Sequence, residues 1–154
     1  MKKIIKSLTS VILVLALALC FVACNKSTAL GETNNGGDVT ADEGLWAGAT
    51  YKENKEFGSG SKTAVVEVKI EDKTVTFTIK TDKDTVGAAL LEHSLIAGEE
   101  SAYGLYVKVV NGVTADFDID QSYWGFYING EMAMTGVDST EITEGTVYRL
   151  EYTK

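Results

Sequence analysis

Few side chains in this sequence are equipped for chemistry. His93 is its one histidine, and Cys20 and Cys24 are its two thiols. An imidazole can ligate a metal or take a proton, but covalent catalysis needs a nucleophile, a base and a group that orients the base. No Gly-x-Ser-x-Gly or phosphate-loop spacing accompanies His93, and a lone histidine on a short helical stretch reads as a helix-face residue. Asp116, Asp118 and Asp120 place carboxylates at alternate positions, as a calcium loop does. The glycine such a loop requires at its sixth place is absent, and Tyr127 stands where its glutamate belongs. The run therefore reads as a solvated acidic loop, with weak calcium binding outside the cell left open. The remaining candidate is the aromatic run Tyr123-Trp124-Gly125-Phe126-Tyr127, followed by Met132 and Met134. Aromatic faces suit flat, partly apolar ligands. Strand alternation puts Trp124 and Phe126 on one face, where they read as core residues. Tyr123 and Tyr127 fall on the other face, where Gly125 leaves room for a ligand to approach. The two methionines read either as adaptable contacts or as cover for a sheet edge. The candidate ligand contacts are thus Tyr123, Trp124, Tyr127, Met132 and Met134. No catalytic or metal-ligating set emerges, and neither an enzyme nor a resident cofactor is expected.

The front of the chain bears on where such a site would work. Met1-Lys2-Lys3-Ile4-Ile5-Lys6 is basic, Leu8 to Ala23 is apolar, and the small residue Ala23 precedes Cys24. The apolar run is short for a spanning helix, which takes about 20 residues, and its flanks are those of an export signal. The segment resembles the lipobox of bacterial lipoproteins, with Phe21 where that family usually has leucine. The resemblance implies acylation of the Cys24 thiol and cleavage before it. The protein would then sit at the extracytoplasmic face of the cell membrane, held there by lipid. Cys20 is the poorer candidate, because the bulky Leu19 precedes it. Loss of Lys2, Lys3 and Lys6 with residues 1–23 takes the formal net charge from −8 to −11. So acidic a chain repels nucleic acid and anionic lipid head groups. With Cys24 acylated, no thiol remains for a disulfide or a zinc site, so a packed core must supply stability.

Residues 24–62 are poor in large apolar side chains and contain Asn34-Asn35-Gly36-Gly37-Asp38 and Gly58-Ser59-Gly60-Ser61. Such composition cannot bury enough surface to offset ordering entropy and is expected to form a tether. Leu45, Trp46, Tyr51 and Phe57 interrupt it, either as an extra strand or by docking on the domain that follows. That domain is expected over residues 63–154. Ala64, Val66, Val68 and Ile70 alternate, Glu71-Asp72-Lys73 turns, and Val75, Phe77 and Ile79 alternate again, which predicts an antiparallel hairpin. Asp84 or Thr85 is placed to cap a short helix carrying Val86, Ala89, Leu90 and His93 on one side, with Gly98 ending the helical region. Later strands are predicted through Tyr103–Val109 before Asn111-Gly112, through Tyr123–Ile128 before Asn129-Gly130, and through Thr146–Tyr152. The fold class is α+β: one short helix packed on a mixed, mostly antiparallel sheet.

Four stretches carry a further resemblance. They are Thr85-Val86-Gly87-Ala88-Ala89-Leu90-Leu91, Tyr103 to Gly112, Tyr123 to Gly130, and Gly136-Val137-Asp138 through Leu150. In order and spacing the chain resembles the C-terminal domain of transcobalamin and intrinsic factor. The resemblance implies a β-grasp-like fold and the holding of a soluble ligand, with cobalamin or another corrinoid as the leading candidate. It also implies that the loop Glu131-Met132-Ala133-Met134-Thr135 is the ligand-facing edge. Transcobalamin clamps cobalamin against a large helical domain that has no counterpart in this sequence, so the domain is expected to supply half a clamp. The alternative is a cell-surface interaction module or transporter accessory with no small ligand of its own. Mass spectrometry of the native product is expected to find Cys24 as its first residue, carrying fatty acyl groups. An intact leader without acylation would refute the anchor.

Overall fold

Apolar residues at every second position pack one face of each strand against a shared core. In the computed structural model, residues 44–154 are described; residues 1–43, with Cys24 and the first part of the expected tether, lie outside them. A 3-10 turn, Gly44–Gly48, leads to β1 (Lys55–Gly58), β2 (Lys62–Ile70) and β3 (Lys73–Thr81). Helix α1 (Val86–Glu92) precedes β4 (Ile96–Ser101), β5 (Gly104–Val110) and β6 (Val113–Thr114). A single turn of helix, α2 (Phe117–Asp120), comes before β7 (Tyr123–Ile128) and β8 (Glu131–Met132). A 3-10 turn at Val137–Ser139 and β9 (Val147–Thr153) complete the described residues. The main sheet has the order β1-β3-β2-β9-β7-β8, and β4-β5-β6 form a second, smaller sheet.

The β2–β3 hairpin has the predicted register, with Val68 opposite Val75 and Val66 opposite Phe77. Its turn places Glu71 at φ 58°. β9 pairs parallel with β2 on one side and antiparallel with β7 on the other. Ala64, Val66, Val68, Ile70, Phe77, Ile79, Tyr148 and Leu150 meet Val86, Ala89 and Leu90 of α1 in one core. The fold is therefore α+β, with one principal helix on a mixed sheet. Of the two candidate caps, Thr85 serves: its Oγ1 accepts the Ala88 N–H at 3.3 Å. Asp84 instead pairs with Lys62.

Three local expectations are corrected. The helical region ends at Glu92 with His93 as its C-cap, well before Gly98. Gly98 lies within β4, at the point where its pairing with β5 shifts register; a Cβ there would lie 2.0 Å from the Tyr106 carbonyl oxygen. Residues 117–120 form a turn of helix rather than a loop, because Asp116 caps it by accepting the Asp118 N–H at 3.0 Å. Nor is all of 24–62 a tether, since residues 44–58 pack on the domain. Trp46 is buried, β1 runs parallel beside β3, and Tyr51, Phe57 and Phe77 meet edge-to-face at 5.3–5.8 Å. Aromatic burial of this size outweighs a polar average composition.

Asn111 clamps this segment. Its Oδ1 accepts the Tyr51 N–H at 2.9 Å, its Nδ2 donates to the Tyr51 carbonyl at 2.8 Å, and its own carbonyl accepts the Thr50 N–H at 2.8 Å. The Asn-Gly pair read as a tight turn is also a long-range clasp. Asn111→Gly keeps the left-handed backbone (φ 50°) accessible and deletes only the side chain. The variant is expected to lose about 1–3 kcal/mol, with amide exchange at Tyr51 accelerating and exchange in β2 and β9 little changed.

Candidate functional site

Sheet pairing sorts the predicted contact residues. Register places Tyr127 opposite Arg149 and opposite Met132, and Tyr123 opposite Thr153. Tyr123, Tyr127 and Met132 thus share the face of the sheet turned away from α1. Trp124 faces the core, 8% exposed, its ring 5.6 Å from that of Tyr152. Its indole N–H is buried and has no hydrogen-bond partner among the described residues. Gly125 does not open a path to the outer face. A Cβ there would meet the Tyr127 ring at 3.0 Å, so Tyr127 folds over the gap the glycine leaves.

The exposed groups lie on a rim of two linked segments, the β4–β5 turn and the stretch after β7. Met132 and Met134 are 60% and 98% exposed, and Tyr103, in the turn between β4 and β5, is 95% exposed. Asp138 joins these two loops: its Oδ2 accepts the Leu105 N–H at 3.1 Å. The junction is tight. A Cβ at Gly104, whose φ is +99°, would lie 2.3 Å from Asp138 Oδ2, and one at Gly87 would lie 2.8 Å from the Asp138 nitrogen. Only glycine allows α1, the β4–β5 turn and the 131–139 loop to approach so closely. Thr140 then ties the loop to itself, its Oγ1 lying 2.9 Å from Thr135 Oγ1 and 2.8 Å from the Gly136 carbonyl. Composition pointed to the methionines. Tyr103 and Asp138 were not singled out as contacts, because nothing local marks two loops 33 residues apart as neighbours.

The acidic run is spent on structure. Asp116 accepts from Lys108 at 3.3 Å, and Asp120 from Lys154 at 2.9 Å, so their carboxylates are drawn to different partners. No cluster of three or more histidine, cysteine or acidic side chains that could hold a metal ion occurs among the described residues. His93 packs its ring 5.3 Å from Phe57, and its Nε2 is buried without a hydrogen-bond partner, 4.0 Å from Glu92 Oε2. It lines a cavity of about 300 Å3 with Gly58, Gly60, Thr81 and Lys83. None of the rim residues borders this cavity. The rim side chains stand open to solvent.

Residues 83–154 match the family model DUF4430, a domain of unknown function. The crystal structure of a "putative metal binding protein" from Ruminococcus gnavus ATCC 29149 superposes with a TM-score of 0.57 at 30% identity, over 61% of this chain and 98% of that protein. The chain belongs to the same family as the Ruminococcus protein. Haptocorrin in complex with Cbi superposes with a TM-score of 0.50 at 17% identity, over 63% of this chain and 26% of haptocorrin. That second likeness is one of fold. No curated protein matches the chain.

Hydrogen bonds from the Ser122 side chain, then from Lys154, lower the Asp120 pKa from 3.8 to about 2. A carboxyl depressed in the folded state stabilises the fold above its unfolded pKa, and that contribution disappears as pH falls through the folded value. Carboxyl NMR is expected to show Asp120 titrating near pH 2. Asp120→Asn is expected to remove the part of the acid sensitivity that lies between about pH 4 and pH 2.

Proposed function

We propose that this protein is a non-catalytic ligand-binding lipoprotein, anchored through acylated Cys24 at the extracytoplasmic face of the cell membrane, and that its ligand is cobalamin or another corrinoid. The observation that carries the ligand half is the rim: Tyr103, Met132 and Met134 stand exposed on loops that Asp138 holds together. Large apolar side chains on loops held this firmly are placed to cover a flat ligand at little entropic cost. The haptocorrin structure supports the reading as a fold that was captured with Cbi. The Ruminococcus relative, described as a "putative metal binding protein", is in keeping with a ligand that contains a metal. A corrinoid satisfies both, since the cobalt comes with the ligand and no metal-holding side chains are needed.

Capture would work through confinement. The acyl chains keep the protein at the surface, residues between Cys24 and the domain give reach, and the rim covers one face of the ligand. A second protein would cover the other face, and without it affinity would be modest. A different observation favours an interaction module: Phe117 and Ile119 on α2 are 55% and 83% exposed, an apolar pair outside the rim.

Titration of the purified protein with cobinamide, followed by tryptophan fluorescence and corrin absorbance, is expected to give saturable binding in the micromolar range. The double variant Met132→Ala/Met134→Ala is expected to weaken it severalfold without loss of stability, because both side chains are exposed. No spectral change at high micromolar ligand would refute the corrinoid reading and leave the interaction module in its place.

A further inference from the structure

The outer face of the main sheet carries an aromatic ring that the rim does not use. Gly125 lies on this face and is nevertheless buried, because Tyr127 leans back along β7 to cover it. A Cβ at Gly125 would lie 3.0 Å from Tyr127 Cε2, 3.3 Å from its hydroxyl oxygen and 3.5 Å from Cζ. The ring therefore reclines along the strand with its hydroxyl end above the glycine, and Tyr127 itself stays partly exposed. A reclining ring turns one face toward the sheet and the other toward solvent. Register surrounds it with charged side chains. Arg149 stands opposite Tyr127 and Glu151 opposite Gly125, and on β2 Glu67 and Lys69 stand opposite these two. Directly paired residues lie about 5 Å apart at Cβ, so the four border any ligand laid on the ring. Their side chains are 25–36% exposed, open enough to be reached.

The charges are set in cancelling pairs. Arg149 Nε donates to Glu67 Oε2 and Lys69 Nζ donates to Glu151 Oε1, both at 2.8 Å. In a chain with a net charge of −8 this face is electrically balanced, so a charged ligand gains no net attraction from it. The pairs also leave hydrogen-bonding capacity at accessible atoms. Glu151 Oε2 stands 3.9 Å from Arg149 Nη1, too far for a hydrogen bond, and a guanidinium has further N–H groups beyond Nε. We propose that Tyr127, Arg149 and Glu151 form a binding site for an uncharged sugar, a pyranose with equatorial hydroxyls as in a β-linked glucose chain. Such a ring has flat faces of C–H bonds and a belt of hydroxyls. One C–H face rests on Tyr127. The belt donates to Glu151 Oε2 and accepts from Arg149, in bonds strengthened by the charge on the protein side. An open sheet face takes an extended chain that a closed cavity would exclude. The site uses other side chains than the rim and does not depend on the corrinoid reading.

Cellohexaose added to the isotopically labelled, purified protein is expected to shift the amide resonances of Gly125, Tyr127, Arg149 and Glu151 saturably in the millimolar range. The Tyr103 resonance is expected to stay in place. Sorbitol carries the hydroxyls without a ring face and is expected to leave all of these resonances unmoved. Tyr127→Phe keeps the ring and is expected to bind cellohexaose within about twofold of the unmodified chain. Tyr127→Leu covers Gly125 without a ring and is expected to bind it about tenfold more weakly. Arg149→Lys keeps the charge and loses the planar fork, and is expected to weaken binding severalfold. Absence of saturable shifts with cellohexaose, equal shifts with sorbitol, or equal affinity of Tyr127→Phe and Tyr127→Leu overturns the site and leaves the corrinoid reading untouched. The sorbitol comparison uses the unmodified chain, so it decides the matter even where a variant fails to fold.

Discussion

The pairing of β9 in the middle of the main sheet is the constraint on which the remainder of the structure depends. β9 joins the β2–β3 hairpin to the β7–β8 hairpin, parallel to the first and antiparallel to the second. Two locally formed hairpins would otherwise present open edges, which in water are marginal. Tyr148 and Leu150 of β9 are buried at its centre. The Tyr148 hydroxyl accepts the Thr143 N–H at 2.8 Å and donates to the Glu141 carbonyl at 3.0 Å, so the core residue also pins the loop that leads into its own strand. On the outer face Arg149 reaches Glu67 and Lys69 reaches Glu151, both at 2.8 Å, across the same β2–β9 seam. These partly exposed pairs add register more than stability.

From that seam the positions of the rim loops follow. β9 holds β7, β7 carries the 131–139 loop, and Asp138 carries that loop to the β4–β5 turn. On the opposite flank Asn111 fastens residues 50 and 51, and through them β1, to the same body. Each fastening uses one polar side chain with several bonds to backbone groups far away in sequence. This economy suits a small domain whose described residues contain no cysteine. Loops held by backbone bonds are preorganised, which lowers the ordering cost of binding. The rim exposes thioethers and a phenol without exposing the core beneath.

Some of this was legible in the residues themselves. The β2–β3 hairpin follows from alternation and from Glu71-Asp72-Lys73, because a short turn and a buried face leave one register; β7 and the Asn129-Gly130 turn follow in the same way, whereas β8 falls within Glu131 to Thr135, which reads as a loop. The Thr85 cap was legible for a similar reason, since it satisfies an N–H only three residues away. The tether boundary was not legible. Leu45, Trp46, Tyr51 and Phe57 stand out from the polar composition of 24–62, but where they dock depends on Phe77 and the 110–113 turn, far along the chain. Nor was the role of Gly125, whose gap is filled by a ring two residues along the same strand, or the end of α1, where tertiary pairing of β4 with β5 takes over the residues before Gly98. The core reading of Trp124 came from alternation alone and agrees with its 8% exposure. Met132 and Met134 could be found as a pair but not assigned to a surface.

The sequence by itself determined the elements: periodicity selects strand or helix, turn residues set hairpin registers, and one face of each element is committed to the core. It also determined which side chains are chemically able to act, because His93 is alone and the carboxylates come in a run. Only the tertiary structure decided which of these residues meet. Asp116 and Asp120 part toward Lys108 and Lys154, Tyr51 meets Asn111, and Tyr103 meets the methionine loop through Asp138. The physical reason is range. Backbone preference and hydrophobic alternation act over a few residues, whereas a rim assembled by a single carboxylate from segments 33 residues apart exists only after the sheet has closed around β9.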